Sequence, residues 1–113
     1  MSYQTRAART LVTEMPFAPN NTESLLTWNA LGLAGEAGEV AELVKKGIYH
    51  RHGLDVAKVA NEIGDVLWYC AAICTILGLD LDEIANANIA KLWERYPEGY
   101  SDAASIARVD VHP

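Results

Sequence analysis

The chain has 113 residues, half of them apolar, with 9 Lys+Arg against 15 Asp+Glu and a formal charge of −6. That length suits one domain with one core, and the apolar fraction excludes a disordered chain. The acidic balance argues against non-specific binding to nucleic acid or an anionic membrane, although a divalent cation can invert the local sign and admit a small phosphorylated ligand. Cys70 and Cys74 are too few for a disulfide framework and read as small buried hydrophobes on one face of the most apolar segment.

The N-terminal residues up to Leu11 contain Arg6 and Arg9 but no apolar stretch of the kind a secretory signal needs. The longest apolar run, Val66 to Leu79, falls short of the ~20 residues required to span a bilayer. The expectation is a soluble cytoplasmic protein, one domain over residues 1–113, with its core at 22–96 and a polar tail at 97–113.

Pro16, Pro19, the Gly47–Gly53 stretch, Gly78 and Pro97 punctuate an otherwise helical pattern. A first segment, Ser2 to Glu14, carries Tyr3, Ala7, Leu11 and Met15 at four-residue spacing. A second, Thr22 to Lys46, opens on Asn21 or Thr22 as N-cap, with Glu23 at its positive end and Lys45 and Lys46 at its negative end. The third, Asp55 to Leu77, starts at a capping aspartate and stops at Gly78. The fourth begins with Asp80-Leu81-Asp82-Glu83, resembling a capping box, and runs to Arg95 before Pro97. No stretch alternates as a strand would. The predicted fold is all-α, of four-helix bundle type, with an antiparallel hairpin formed by the second and third helices.

Two acidic couplets sit in that hairpin. Glu36 and Glu39 are three residues apart on one helix, with Glu42 continuing the line, and Glu62 and Asp65 are three apart on the next. Residues at this spacing are neighbours on a helix surface. The couplets are centred on the middle of the Gly47–Gly53 turn, so antiparallel packing brings them level and face to face. Gly32, Gly35 and Gly38 on one helix and Gly64 on the other each cost about 1 kcal/mol relative to alanine, a sign of close approach to the backbone. Two unit charges ~5 Å apart repel by about 3 kcal/mol at an effective dielectric of ~20. Four carboxylates therefore retain protons or bind a cation. With only oxygen donors and no His or Cys at ligand spacing, the donor set favours a hard divalent ion such as Mg²⁺, which leaves room for substrate phosphates.

The run Gly35-Glu36-Ala37-Gly38-Glu39, followed after the turn by Glu62-Ile63-Gly64-Asp65-Val66-Leu67-Trp68-Tyr69, resembles the all-α nucleoside triphosphate pyrophosphohydrolases. That family includes MazG-type, dCTPase-like and dimeric dUTPase-like enzymes, and its pattern is EExxE followed by ExxD. The resemblance spans Trp28 to Ser101 and is closest to short single-domain MazG-like members. Asn88-Ile89-Ala90-Lys91-Leu92-Trp93-Glu94-Arg95-Tyr96-Pro97 is similar to their segment after the metal site. Gly35 stands where the family has its first Glu, which leaves Glu36, Glu39, Glu62 and Asp65 as the expected metal ligands. The resemblance implies Mg²⁺-dependent cleavage, with Mn²⁺ as a substitute, of an NTP or dNTP between the α- and β-phosphates, in a homodimer or homotetramer.

Glu36 and Glu39 are both candidates for the base that takes a proton from the attacking water. Lys91 and Arg95, one turn apart, with Asn88, are candidates for holding phosphates, and a solvated cationic face is the competing reading. Trp28 lies ~12 Å along the helix from Glu36. It reads first as a core anchor beside Leu25 and Leu31, and second as a stacking partner for a base. Trp68 and Tyr69 pack beneath the carboxylates or line a base pocket. Lys45, Lys46, His50, Arg51 and His52 form a solvated turn, with phosphate steering as the lesser reading. Competing functions are a non-catalytic helical module whose acidic face binds a basic partner, and a phosphoribosyl-ATP pyrophosphohydrolase-like enzyme. A di-iron carboxylate site would want Glu-x-x-His, and the second couplet is Glu-x-x-Asp.

Overall fold

Each helix begins where the sequence supplies a capping side chain. The computed structural model describes residues 1–15 and 21–108. It contains α1 (Tyr3–Ala7, followed by a 3₁₀ turn, Ala8–Thr10), α2 (Thr22–Ile48), α3 (Val56–Leu77), α4 (Leu81–Arg95) and α5 (Asp102–Ala107). The side chains of Asn21, Asp55, Asp80 and Ser101 accept hydrogen bonds from first-turn amides of the last four. Gly78 closes α3 in the left-handed region at φ 72°. No strand occurs among the described residues, and the protein is all-α.

Two departures from the sequence reading have local causes. Helix was expected through Glu14 but ends at Thr10, and Leu11 is extended at ψ 123°. Thr10, Val12 and Thr13 are β-branched, and the Thr10 hydroxyl donates back to the Ala7 carbonyl at 3.1 Å, which favours leaving the helix. In the tail, Ser101 and Asp102 start α5, a capping signal hidden in a stretch expected to be irregular. Pro16, Pro19 and residues 109–113 lie outside the described residues.

The chain divides into two compact units, Met1–Leu79 and Asp80–Pro113. In the first, α2 and α3 form an antiparallel hairpin and α1 lies on α3. The register is visible at two glycines. A Cβ on Gly32 would run into the Tyr69 ring, and one on Gly47 would come within 2.8 Å of Leu54 Cα. Both contacts join residues equally far from the His50–Arg51 bond, so the turn sets the register of the whole hairpin. Gly35, Gly38 and Gly64, expected to mark close approach, have nothing near the position a Cβ would take. Gly32→Ala is therefore expected to cost about 1–3 kcal/mol through overpacking. Gly35→Ala should instead gain up to about 1 kcal/mol from helix propensity, and urea denaturation of the two variants checks the opposite signs.

The hairpin has two unlike flanks. Ala30, Ala37, Ala41 and Ile48 on α2 recur at helical spacing, as do Val56, Ile63 and Leu67 on α3, and all are exposed. Each stripe stands about a third of a turn beyond the α2–α3 contact line in the same rotational sense. In antiparallel helices that puts both stripes on one side, which carries no charge from Ala30 to Ile48 or from Val56 to Leu67. Glu39, Asn61, Asp65 and Trp68 are displaced in the opposite sense. Among the described residues, burial within the unit is slight: Ala71, Ala72, Cys74 and Asn29 are the buried ones, and no large side chain is fully enclosed. Cys70 is half-buried.

In the second unit, two tyrosine rings lie between α4 and α5 in the chain and are tilted against each other at 47°. Tyr96 and Tyr100 have centroids 5.1 Å apart, and the Arg95 guanidinium lies 5.6 Å from the Tyr96 ring centre. A hydrogen bond with Ser105, assisted by Arg95 and Arg108, holds the Tyr96 phenol below its ordinary value.

Candidate metal centre

One turn along the hairpin from the Gly32–Tyr69 contact, the same register sets Glu36 opposite Asp65. Glu36, Glu62 and Asp65 each offer a carboxylate oxygen, and these three atoms lie within 4.8 Å of one another. Glu36 and Glu62 are half-buried, and Asp65 is exposed. One of the two Glu62 carboxyl oxygens, Oε2, is shielded from solvent and has no hydrogen-bond partner among the described residues. A hydrogen bond shared with Glu36 raises the Glu62 carboxyl above its ordinary 4.5, with further contributions from burial and the negative charge of Glu36 and Asp65. A cation among the three oxygens would favour the ionised form of Glu62 and so oppose this upward shift. Oxygen-only donors and an unpartnered inward oxygen fit a hard divalent ion.

The sign of the pH dependence follows. A raised folded-state value means the metal-free protein binds an extra proton relative to the unfolded chain. This proton favours the folded form at low pH, and the advantage is lost as pH rises from 4.5 through the raised value. Protons and a cation compete for the Glu62 carboxylate, so apparent Mn²⁺ affinity is expected to rise with pH across the same window. Calorimetric titration in buffers of different ionisation enthalpy checks both the rise and the proton release.

Glu39 does not join the group of three. Its three-residue step turns it about 60° from Glu36, and like-charge repulsion favours an exposed carboxylate facing outward. It lines a groove of about 570 Å³ shared with Asp55, Lys58, Asn61 and Glu62. Lys58 was passed over in the sequence, although it precedes Glu62 by one turn on the same face and brings the groove a positive charge. Glu42 pairs instead with Lys46 at 3.6 Å.

Towards the start of α2, Trp28, Asn29, Trp68, Tyr69 and Val12 line a cavity of about 200 Å³. Trp28 is 42% exposed, which corrects its reading as a core anchor. The Trp68 and Tyr69 rings meet edge to face at 5.1 Å, and Tyr69 is seated on Gly32. Asn29, 4% exposed, donates from Nδ2 to the Leu25 carbonyl at 2.8 Å. Its signal in the sequence was a polar residue on the stripe facing α3, two turns before Glu36. Asn88, Lys91 and Arg95 stand on α4 in the second unit, where Asn88 and Lys91 are exposed and Arg95 is half-buried. α3 is long and apolar enough to cross a membrane by length and composition alone, contrary to the sequence estimate. It nevertheless carries Glu62 and Asp65 and packs against α1 and α2.

Residues 24–100 match the model of the MazG nucleotide pyrophosphohydrolase domain, and the chain belongs to that family. The match agrees with the resemblance read over Trp28 to Ser101, and membership suggests nucleotide pyrophosphohydrolase activity dependent on a divalent metal. The chain is also 35% identical over 78 residues to the Gene 37 protein of Mycobacterium phage L5, covering 66% of this chain and 68% of that one. No solved structure matches it.

Proposed function

We propose that the protein hydrolyses a nucleoside or deoxynucleoside triphosphate at the α–β bond, giving the nucleoside monophosphate and pyrophosphate. The observation that carries this reading is the convergence of Glu36, Glu62 and Asp65 around an unpartnered inward oxygen in a MazG-family chain. Glu36, Glu62 and Asp65 hold Mg²⁺, or Mn²⁺ in its place. When bound, such an ion offsets charge building on phosphate oxygens and lowers the pKa of a nearby water. Glu39, outside the group of three and exposed, accepts the proton from the attacking water. Lys58 in the adjoining groove offsets the charge of the departing pyrophosphate. Asn88, Lys91 and Arg95 are phosphate-holding candidates on the charge of α4 alone. The base enters the slot between Trp28 and Trp68, where ring stacking supplies affinity and the Asn29 carboxamide presents an edge for hydrogen bonding.

The active form is a homo-oligomer, a homodimer or homotetramer, in the cytoplasm. Its support is the uncharged flank of exposed Ile48, Val56, Ile63 and Leu67, which a second hairpin would cover to give a four-helix arrangement. The deciding experiment is incubation with each NTP and dNTP, with and without Mg²⁺, scoring monophosphate, pyrophosphate and orthophosphate. Metal-dependent pyrophosphate release is expected. Orthophosphate release would overturn α–β cleavage, and inertness towards every triphosphate would favour a non-catalytic acidic module.

A further inference from the structure

The N-terminal arm is fastened to α3 at two places. Near its start, Gln4 Nε2 donates to Thr75 Oγ1 at 3.2 Å and to the Leu79 carbonyl at 2.8 Å. Near its end, the Trp68 indole Nε1 donates to Thr10 Oγ1 at 2.9 Å. The Thr10 proton is already committed to the Ala7 carbonyl, so a hydroxyl lone pair is left facing the indole. Two residues later the arm supplies Val12 to the cavity walled by Trp28, Trp68 and Tyr69. Of the two adjoining rings, Tyr69 is braced by Gly32 and by the Trp68 edge, whereas the polar brace on Trp68 comes from the arm.

We infer that Thr10 is a positioning residue for substrate binding: by fixing the Trp68 indole it makes the N-terminal arm one wall of the slot that takes the nucleobase. This rests on the nucleotide reading above. A flat heteroaromatic ring is the ligand chemistry that the slot fits, because its walls are aromatic and its buried polar group is a single carboxamide. An indole free to rotate would have to be ordered at each binding event, and that loss falls on affinity for the ring rather than on the carboxylates. The Gln4 anchor does not involve Trp68, so the arm stays attached when the Thr10 hydroxyl is removed.

The test uses the full chain, without metal, and free nucleosides and deoxynucleosides as probes, with binding measured by calorimetry. Thr10→Val removes one end of the hydrogen bond and is expected to weaken nucleoside binding about fivefold, and Trp68→Phe, which removes the other end and trims a wall of the slot, at least as much. Thr10→Ser, which keeps the hydroxyl, restores it. The double variant Thr10→Val/Trp68→Phe is no weaker than the poorer single, because both changes cut one link. With triphosphate and Mg²⁺, Thr10→Val raises KM by the same factor and leaves kcat in place. The inference is overturned if wild-type chain binds no nucleoside, if Thr10→Val binds as wild type does, if serine fails to restore binding, or if the single effects add. Nucleoside binding that follows this pattern in a chain unable to hydrolyse any triphosphate would leave the inference standing and sink the pyrophosphohydrolase reading.

Discussion

Glu62→Gln and Asp65→Asn are each expected to lower pyrophosphate release by about 10²–10³-fold, since each removes a ligand whose charge the cation needs. The same changes relieve repulsion among three carboxylates whose oxygens lie within 4.8 Å of one another. Metal-free Glu62→Gln is therefore expected to melt at or above the wild-type temperature, and the rise in melting temperature that Mg²⁺ or Mn²⁺ gives wild type should shrink or vanish. Activity and stability moving in opposite directions separates a metal ligand from a structural residue, whose loss would lower both. Glu39→Gln makes the contrast. It should depress kcat while sparing cation uptake, because Glu39 stands outside the group of three. Thermal melts with and without cation, beside the hydrolysis assay, read all of these outcomes, and full activity in Glu62→Gln and Asp65→Asn would remove the site.

Leu67→Glu is expected to reduce the protein to a single chain in sedimentation experiments and to abolish cooperative melting. Leu67 is 43% exposed on a flank that it shares with Val56 and Ile63, themselves more than half exposed. Among the described residues the only fully buried apolar side chains of this unit are the small ones of Ala71, Ala72 and Cys74, a thin core to set against the entropy of ordering the chain. A second copy laid against the flank would bury the exposed part of the Val56, Ile63 and Leu67 side chains, worth roughly 1–2 kcal/mol each. An ionised carboxylate in the middle of that contact would cost several kcal/mol unless it found a partner, and the flank offers none. A wild-type chain that sediments as a monomer at micromolar concentration would show that the flank is covered in some other way.

The all-α fold and the hairpin register were legible because they rest on local chemistry: Asn21, Asp55 and Asp80 as caps, Gly78 as a stop, and couplets at equal distances from the turn. The same arithmetic that set Glu36 against Asp65 also set Gly32 against Tyr69. The arm was less legible. Thr10 leaves the helix to meet Trp68, a contact across 58 residues that periodicity does not encode. The glycines were over-read for a related reason, since a helix-weakening residue looks alike whether a neighbour fills its space, as at Gly32, or not, as at Gly35. Trp28 reads as a core anchor from its place beside Leu25 and Leu31, with base stacking second, whereas in the structure it is 42% exposed at the rim of a cavity. Glu39 was grouped with its helix neighbour by spacing alone, which fixes the backbone but not the direction a solvated carboxylate takes. Lys58 and Asn29 were missed because a lone lysine or asparagine on a helix has no motif, and it acquires meaning from what stands across the hairpin.

The separation of the two flanks bears on how such a molecule can vary over generations. Glu39, Asp65 and Trp68 are displaced to one side of a pair of rods, and the uncharged stripes to the other. On the reading proposed above, drift in base preference through the Trp68 wall can therefore proceed without altering the stripes that a second copy would cover. Remodelling of the stripes could likewise change the number of copies while the chemistry is inherited intact.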